Sequence, residues 1–242
     1  MITENINQFC FAGKKSYDDM GLIITETPVF SCPKRDIEFT SVPGRSGDII
    51  SDNGRFENTE ASYKVAALAE DFDIELMLRK IKAWLAGTVG YCKLSDTYDP
   101  NYFRYAALDG KIDFTQKLRA IGAGTIKFNC KPFRYSAEGQ QALTITHETA
   151  LYNPEGFDST PKIKIVGNGD ITLYINNTAF PITSVDGNIE IDGDIMAAFS
   201  GARLQNNKIH FTEFPRLLPG KNNISFTGSV SEIQITPRWC AL

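Results

Sequence analysis

The chain has 242 residues, 42% of them hydrophobic and 22% charged, with a formal net charge of -4 and a pI near 5.3. This is the composition of a folded globular protein able to bury a core without staples, so disorder is excluded, and the acidic balance argues against gripping nucleic acid through phosphate neutralisation. No segment approaches the roughly 18 apolar residues of a membrane span, Met1 to Gln8 lack the basic and apolar regions of a secretory leader, and the chain is expected to be made and folded in the cytosol.

From Phe9 to Phe30 the pattern suits two short strands around a Lys14-Lys15-Ser16 turn, and Ile37, Phe39 and Val42 then lead into Val42-Pro43-Gly44-Arg45-Ser46-Gly47-Asp48. Pro43-Gly44 presets one negative φ and permits a positive one, as a type II turn demands. In Asp52-Asn53-Gly54-Arg55-Phe56-Glu57-Asn58, the Asn53-Gly54 pair is a strong hairpin signal. Tyr63 to Leu68 resumes strand character, so the region reads as a hairpin-rich sheet.

One segment departs from that rule. Ile74, Met77, Leu78, Ile81, Trp84 and Leu85 recur at helical spacing with Glu75, Arg79, Lys80 and Lys82 opposite, which predicts a helix over about 73–86, capped by Asp73 and ended by Gly87. A lone helix among strands plugs a sheet, making Trp84 a core residue. Strands are expected again at 90–94, 103–108, 112–118 and 124–130. The turn Asp96-Thr97-Tyr98-Asp99-Pro100 lies among them, and Pro132 and the polar run 136–141 mark a boundary.

Beyond that boundary, period-two alternation marks strands at 143–146, 162–166, 171–175, 189–191, 208–211, 223–226 and 232–235. Turn signals at Gly167-Asn168-Gly169-Asp170, Asp186-Gly187-Asn188, Asp192-Gly193-Asp194 and Pro219-Gly220-Lys221-Asn222 separate them, as in an antiparallel sandwich. The fold class is therefore mainly β in two domains, 1–135 and 136–242.

The search for chemistry yields little. His147 and His210 are the whole histidine complement, and no Ser or Cys sits in a Gly-x-Ser-x-Gly elbow. The five cysteines, Cys10, Cys32, Cys92, Cys130 and Cys240, contain no Cys-x-x-Cys and read as buried or incidental thiols. Asp96 and Asp99 read as turn residues rather than paired acids, and Asp192-Gly193-Asp194 as a β-turn rather than a calcium loop. No catalytic residue, metal or cofactor is expected. Arg45 and Arg55 have two readings: internal pairs with Asp48, Asp52 or Glu57, or bridges to a neighbouring subunit.

Several stretches together resemble one family. They are Phe11 to Ser16 with Met20 to Ile24, Val42 to Asp48, Asp52 to Asn58, Ile81 to Leu85, and Leu94 to Pro100 followed by Arg104. Asn153-Pro154, Ser159 to Ile163, Phe214-Pro215 and Leu218 to Asn222 extend the likeness along the chain. Together they are similar to distal tail proteins of long-tailed phages of Gram-positive bacteria. The resemblance implies a ring-forming N-terminal β-sandwich or split-barrel-like domain with one helix and a C-terminal galectin-like antiparallel β-sandwich. It implies a homohexameric ring in the virion tail, joining the tail tube protein to a tail-associated lysin or to tail-tip and baseplate proteins. DNA would pass through the lumen without specific binding, and no membrane is involved.

A ring built of head-to-tail contacts needs two different complementary patches on each subunit. Pro43, Gly44, Arg45, Asp48, Asn53, Gly54 and Arg55 are the candidate patch. The alternative role is recognition of cell-wall sugars by the second domain, with Tyr174, His210 and Trp239 as candidate contacts.

Overall fold

The computed structural model describes residues 6–68, 73–118 and 121–242. The chain divides into two compact units, residues 1–134 together with Leu242, and residues 135–241. Strand pairs in both units, among them Phe9–Phe11 with Cys92–Asp96, Arg35–Thr40 with Ile49–Phe56, Thr59–Leu68 with Ile121–Ser136 and Lys162–Ile175 with Gly220–Thr236, are antiparallel, and the mainly β class expected from the sequence holds.

The first unit contains β1 (Phe9–Phe11), β2 (Lys14–Lys15), β3 (Leu22–Ile24), β4 (Arg35–Thr40), β5 (Ile49–Phe56), β6 (Thr59–Leu68), α1 (Ile74–Gly87), β7 (Cys92–Asp96), β8 (Tyr102–Leu118) and β9 (Ile121–Ser136). The division between units falls after Arg134 of β9. Seven strands run in the order β2-β1-β7-β8-β9-β6-β3, whereas β4 and β5 form a separate two-stranded sheet. The sheet buries Phe9, Phe11, Leu22, Tyr63, Ile126 and Phe128 in one cluster with Ile74, Ile81, Trp84 and Leu85 of α1. The apolar stripe read from the sequence is thus the face that closes this core. Its indole N–H donates to the Phe11 carbonyl at 3.2 Å, which satisfies the one polar atom of Trp84.

Both ends of α1 follow from local chemistry. Asp73 accepts the Leu76 amide at 3.0 Å, as an N-cap acid does, and the Thr88 hydroxyl donates to the Trp84 carbonyl at 2.7 Å. Gly87 remains helical rather than terminating the helix in a left-handed turn.

The second unit contains β10 (Leu143–Ile145), β11 (Thr149–Asn153), β12 (Lys162–Ile175), β13 (Thr178–Val185), β14 (Asn188–Asp192), β15 (Ala197–Ser200), β16 (Arg203–Leu204), β17 (Gly220–Thr236) and β18 (Cys240–Ala241). β12 and β17 are long enough to serve two layers. Lys162 to Val166 pairs with β14 and with the end of β17, while Ile171 to Ile175 pairs with β13 and with the earlier part of β17. Between them the register shifts, and the ribbon folds over a core of Ile163, Ile165, Ile171, Leu173, Ile224, Ile233 and Ile235. Glycine is required at this corner. A Cβ on Gly167 would sit 2.3 Å from the Ser229 carbonyl oxygen, and one on Gly228, whose φ is +103°, would sit 2.5 Å from that of Asp170.

Four local expectations are corrected. Gly167 to Asp170 is a bulge inside β12, because β17 pairs on both sides of it and keeps the strand continuous. Asn53-Gly54 likewise lies inside β5 and not at its turn. The segment at 208–211 forms no strand: a 3-10 turn covers Asn206–Lys208, and Ile209 makes only an isolated bridge to Ile182. Pro132 does not interrupt the ladder, since β9 continues through it to Ser136.

Candidate assembly surface

The residues singled out at 43–55 fall on the β4-β5 hairpin and its connecting loop. Strand pairing sets Ile37 opposite Asp52, Phe39 opposite Ile50 and Thr40 opposite Ile49. The loop holds the type II turn at its start: the Arg45 amide donates to the Val42 carbonyl at 3.1 Å, with Gly44 at φ +81° in the third position. Pro43, Gly44, Arg45 and Asp48 are all exposed. Among the described residues, the side chains of Arg45 and Asp48 make no hydrogen bond or ion pair.

Asn53 and Gly54 serve a different purpose from the one their type suggests. The pairing jumps from Ile37–Asp52 to Arg35–Phe56, so three residues of β5 oppose Asp36 alone. Gly54 takes φ +71° and its amide donates to Asp52 at 2.9 Å. The bulge turns Asn53 and Arg55 back onto Asp36, whose two oxygens accept from Asn53 Nδ2 at 3.0 Å and Arg55 Nε at 2.6 Å. Arg55 is therefore an internal pair, but with Asp36 rather than with Asp48, Asp52 or Glu57. The partner of Asp52 is Arg35, whose Nε donates at 2.9 Å while its guanidinium lies 5.3 Å from the centre of the Phe56 ring. Hydrogen bonds from Asn53 and Arg55 hold the Asp36 carboxyl below its ordinary pKa, and those from Arg35 and the Gly54 amide do the same for Asp52.

The hairpin has almost no core of its own. Phe56 packs edge-on against Phe133 of β9, with ring centroids 5.7 Å apart, and anchors the base. Farther out, Phe39 is 61% exposed, Ile50 62% and Ile49 42%. A two-stranded ribbon is marginal in water without a partner surface, and large apolar side chains left in the open mark interaction sites. Sequence reasoning passed over Phe39, Ile49 and Ile50 as contact residues because alternation marks a strand without saying whether anything covers its faces.

The candidate sugar contacts do not assemble into a platform. Trp239 is 5% exposed and belongs to the core of the second unit, so it presents no ring face for stacking. His210 is exposed and its Nε2 lies 2.9 Å from the Thr183 hydroxyl, while Tyr174 is half-buried on β12. Asp96 is occupied as a turn residue, accepting the amides of Tyr98 and Asp99 at 2.9 and 3.1 Å. Burial pushes the Cys130 and Cys240 thiols up to about 11 and about 12, leaving both protonated and poorly nucleophilic near neutral pH. No helix of the described residues is long and apolar enough to cross a membrane.

Residues 19–130 match the family model described as the phage tail protein RIFT-related domain. The matched residues lie within the first unit. The chain shares its fold with Dit of phage SPP1, described as a paradigm of the hub adsorption apparatus of phages infecting Gram-positive bacteria. That likeness has a TM-score of 0.73 and 12% identity, and covers 96% of this chain and 98% of that one. A chain of the phage p2 baseplate in its activated conformation with Sr is similar at a TM-score of 0.51 and 11% identity, over 96% and 98%. The corresponding baseplate structure with Ca gives 0.51 and 11%, over 95% and 97%. No curated protein sequence matches the chain. The resemblance to distal tail proteins, read from motifs along the whole chain, is borne out. The β4-β5 hairpin lies within the residues that the family model covers.

Proposed function

We propose that this protein is a structural hub of a phage tail, whose copies close into a hexameric ring between the tail tube protein and the baseplate or tail-tip proteins. The role is one of assembly and not of catalysis, and DNA passes through the lumen without being held. The observation that carries this reading is the exposed Phe39–Ile50 pair on a hairpin outside the main sheet, in a chain sharing the fold of a hub protein along nearly its whole length. In a ring of head-to-tail contacts, such a hairpin supplies one of the two patches each subunit needs, with Arg45 and Asp48 open to a neighbour's charges. An acidic conduit also suits passage, because a wall that neutralised phosphates would retain DNA.

Light scattering of the purified protein across a concentration series, with negative-stain images of the same sample, tests the reading. Six times the 26.9 kDa chain mass, with rings in projection, is the expected result. A strict monomer at every concentration with no ring overturns it.

A further inference from the structure

The first unit contains a cleft of about 280 Å³ whose lining includes Phe30, Tyr63, Asp96, Tyr102, Arg104 and Arg134. Its acids are already engaged. Asp96 accepts the Tyr63 hydroxyl at 2.7 Å on one oxygen and two backbone amides on the other, while Asp99, also on the wall, takes Arg134 Nη1 at 3.0 Å. The cations are not balanced in the same way. Among the described residues Arg104 has no carboxylate within 4.0 Å, and both its Nη1 and the Nε of Arg134 are buried without a hydrogen-bond partner. Each guanidinium rests on a ring, Arg104 5.7 Å from the centre of Phe30 and Arg134 5.3 Å from that of Tyr102.

A ring face offers a cation an electrostatic contact but replaces neither a hydrogen-bond acceptor nor a counter-ion, and an unmet charged donor away from water is costly. We infer that this cleft binds a monocarboxylate carried on an aromatic or other apolar body, with Arg104 as its counter-ion. Three features select that class. The guanidinium fork matches a carboxylate, and the rings of Phe30 and Tyr102 give the attached body an apolar wall. The negative charges of Asp96 and Asp99 on the same wall oppose a dianion such as phosphate. A neutral sugar is disfavoured, because its hydroxyls need acceptors and the oxygens of Asp96 are taken. The volume lies just below the range of drug-sized pockets and suits a ligand of one side chain's size.

The test is titration of the full chain with benzoate, followed through its backbone amide resonances, beside benzamide, N-acetylglucosamine, inorganic phosphate and N-acetylphenylalanine. Benzoate should shift the amides of residues 96–99 and 101–104 saturably and bind about tenfold or more tightly than benzamide, the difference expected of a charge-assisted contact. Arg104→Met should weaken benzoate by a similar factor, and Arg104→Lys should restore part of it. Tighter binding of N-acetylphenylalanine identifies a chain-end carboxylate as the occupant, and tighter binding of benzoate a free acid; both support the inference. No saturable shift with either acid, equal binding of benzamide, or stronger binding of phosphate or the sugar overturns it. The comparison of benzoate with benzamide on the unaltered chain decides the matter even if the variants fail to fold.

Discussion

Phe39 and Ile50 stand opposite each other across the β4-β5 ladder, and both remain more than half exposed. A cross-strand apolar pair ordinarily stabilises a sheet by hiding area between neighbours and the core beneath. Here neither buried cluster of the described residues includes the pair, so most of that area is available to another surface. Replacing both with serine is predicted to raise the dissociation constant for self-association by about 30-fold or more, the effect of losing about 2 kcal/mol at an interface anchor. The melting temperature of the monomer should change little. Sedimentation velocity and a thermal melt on the same sample check it, and unchanged association removes the pair from the interface.

The two arginines of the hairpin, Arg45 in its loop and Arg55 on β5, should separate cleanly. Arg55→Ala removes one of the two donors to Asp36 and is predicted to loosen the hairpin, seen as faster amide exchange at 49–56. Arg45→Ala leaves those amides unchanged and weakens self-association instead, because its guanidinium has no partner among the described residues. Equal association of the Arg45 variant and the parent chain would show that Arg45 takes no part in assembly.

Gly167→Ala and Gly228→Ala are each predicted to destabilise the second unit by about 3 kcal/mol, at the upper end of overpacking costs, because the added carbon meets backbone that cannot swing away. Gly169→Ala provides the contrast: its φ of +77° carries strain, but no atom lies within 4 Å of the added carbon, so a loss of about 1 kcal/mol is expected. Urea unfolding of the three variants checks the order.

Arg238 grips Asp192 with two bonds, Nη1–Oδ1 at 2.7 Å and Nη2–Oδ2 at 2.8 Å. Burial alone raises the Asp192 pKa, but the hydrogen bonds and charge of Arg238, with the amides of Asp194 and Ile195, outweigh it and hold the carboxyl below its ordinary 3.8. A lowered folded pKa contributes stability that is complete above the unfolded value and is lost as pH falls through the folded one. The second unit is therefore predicted to keep this contribution at pH 5 and to lose it below about pH 3.8. Asp192→Asn should abolish that acid-dependent part and cost about 2–4 kcal/mol at pH 7, by leaving Arg238 without its bidentate partner. Denaturant melts from pH 7 to pH 3 check both.

Features governed by neighbours within a turn or two were legible in the sequence. The α1 stripe from Ile74 to Leu85 and the Pro43-Gly44 turn depend on local spacing, and they appear where that spacing puts them. Features governed by pairing partners were not. Asn53-Gly54 carries a hairpin signature, but only Gly54 takes a positive φ, and strand partners on both sides draw the pair into a bulge. The same holds for Gly167 to Asp170 between the two contacts of β12 with β17. Asp36 could not be chosen as the partner of Arg55 without the register that brings positions 19 apart in sequence together. Trp239 read as a free aromatic because nothing local reveals that it lies against Gly139 in a core.

The long β12 and β17 ribbon has a consequence for how the molecule is made. β17 is central to both layers of the second unit but is synthesised after β10 to β16, pairing Ile235 with Ile163 and Ile224 with Ile175. The elements from β1 to β9, which carry the buried cluster of the first unit, are complete by Ser136, so that cluster can form while synthesis continues. The sandwich has no such head start: until β17 arrives, β12 lacks the neighbour that pairs along most of its length, and the isoleucines along it wait for that strand.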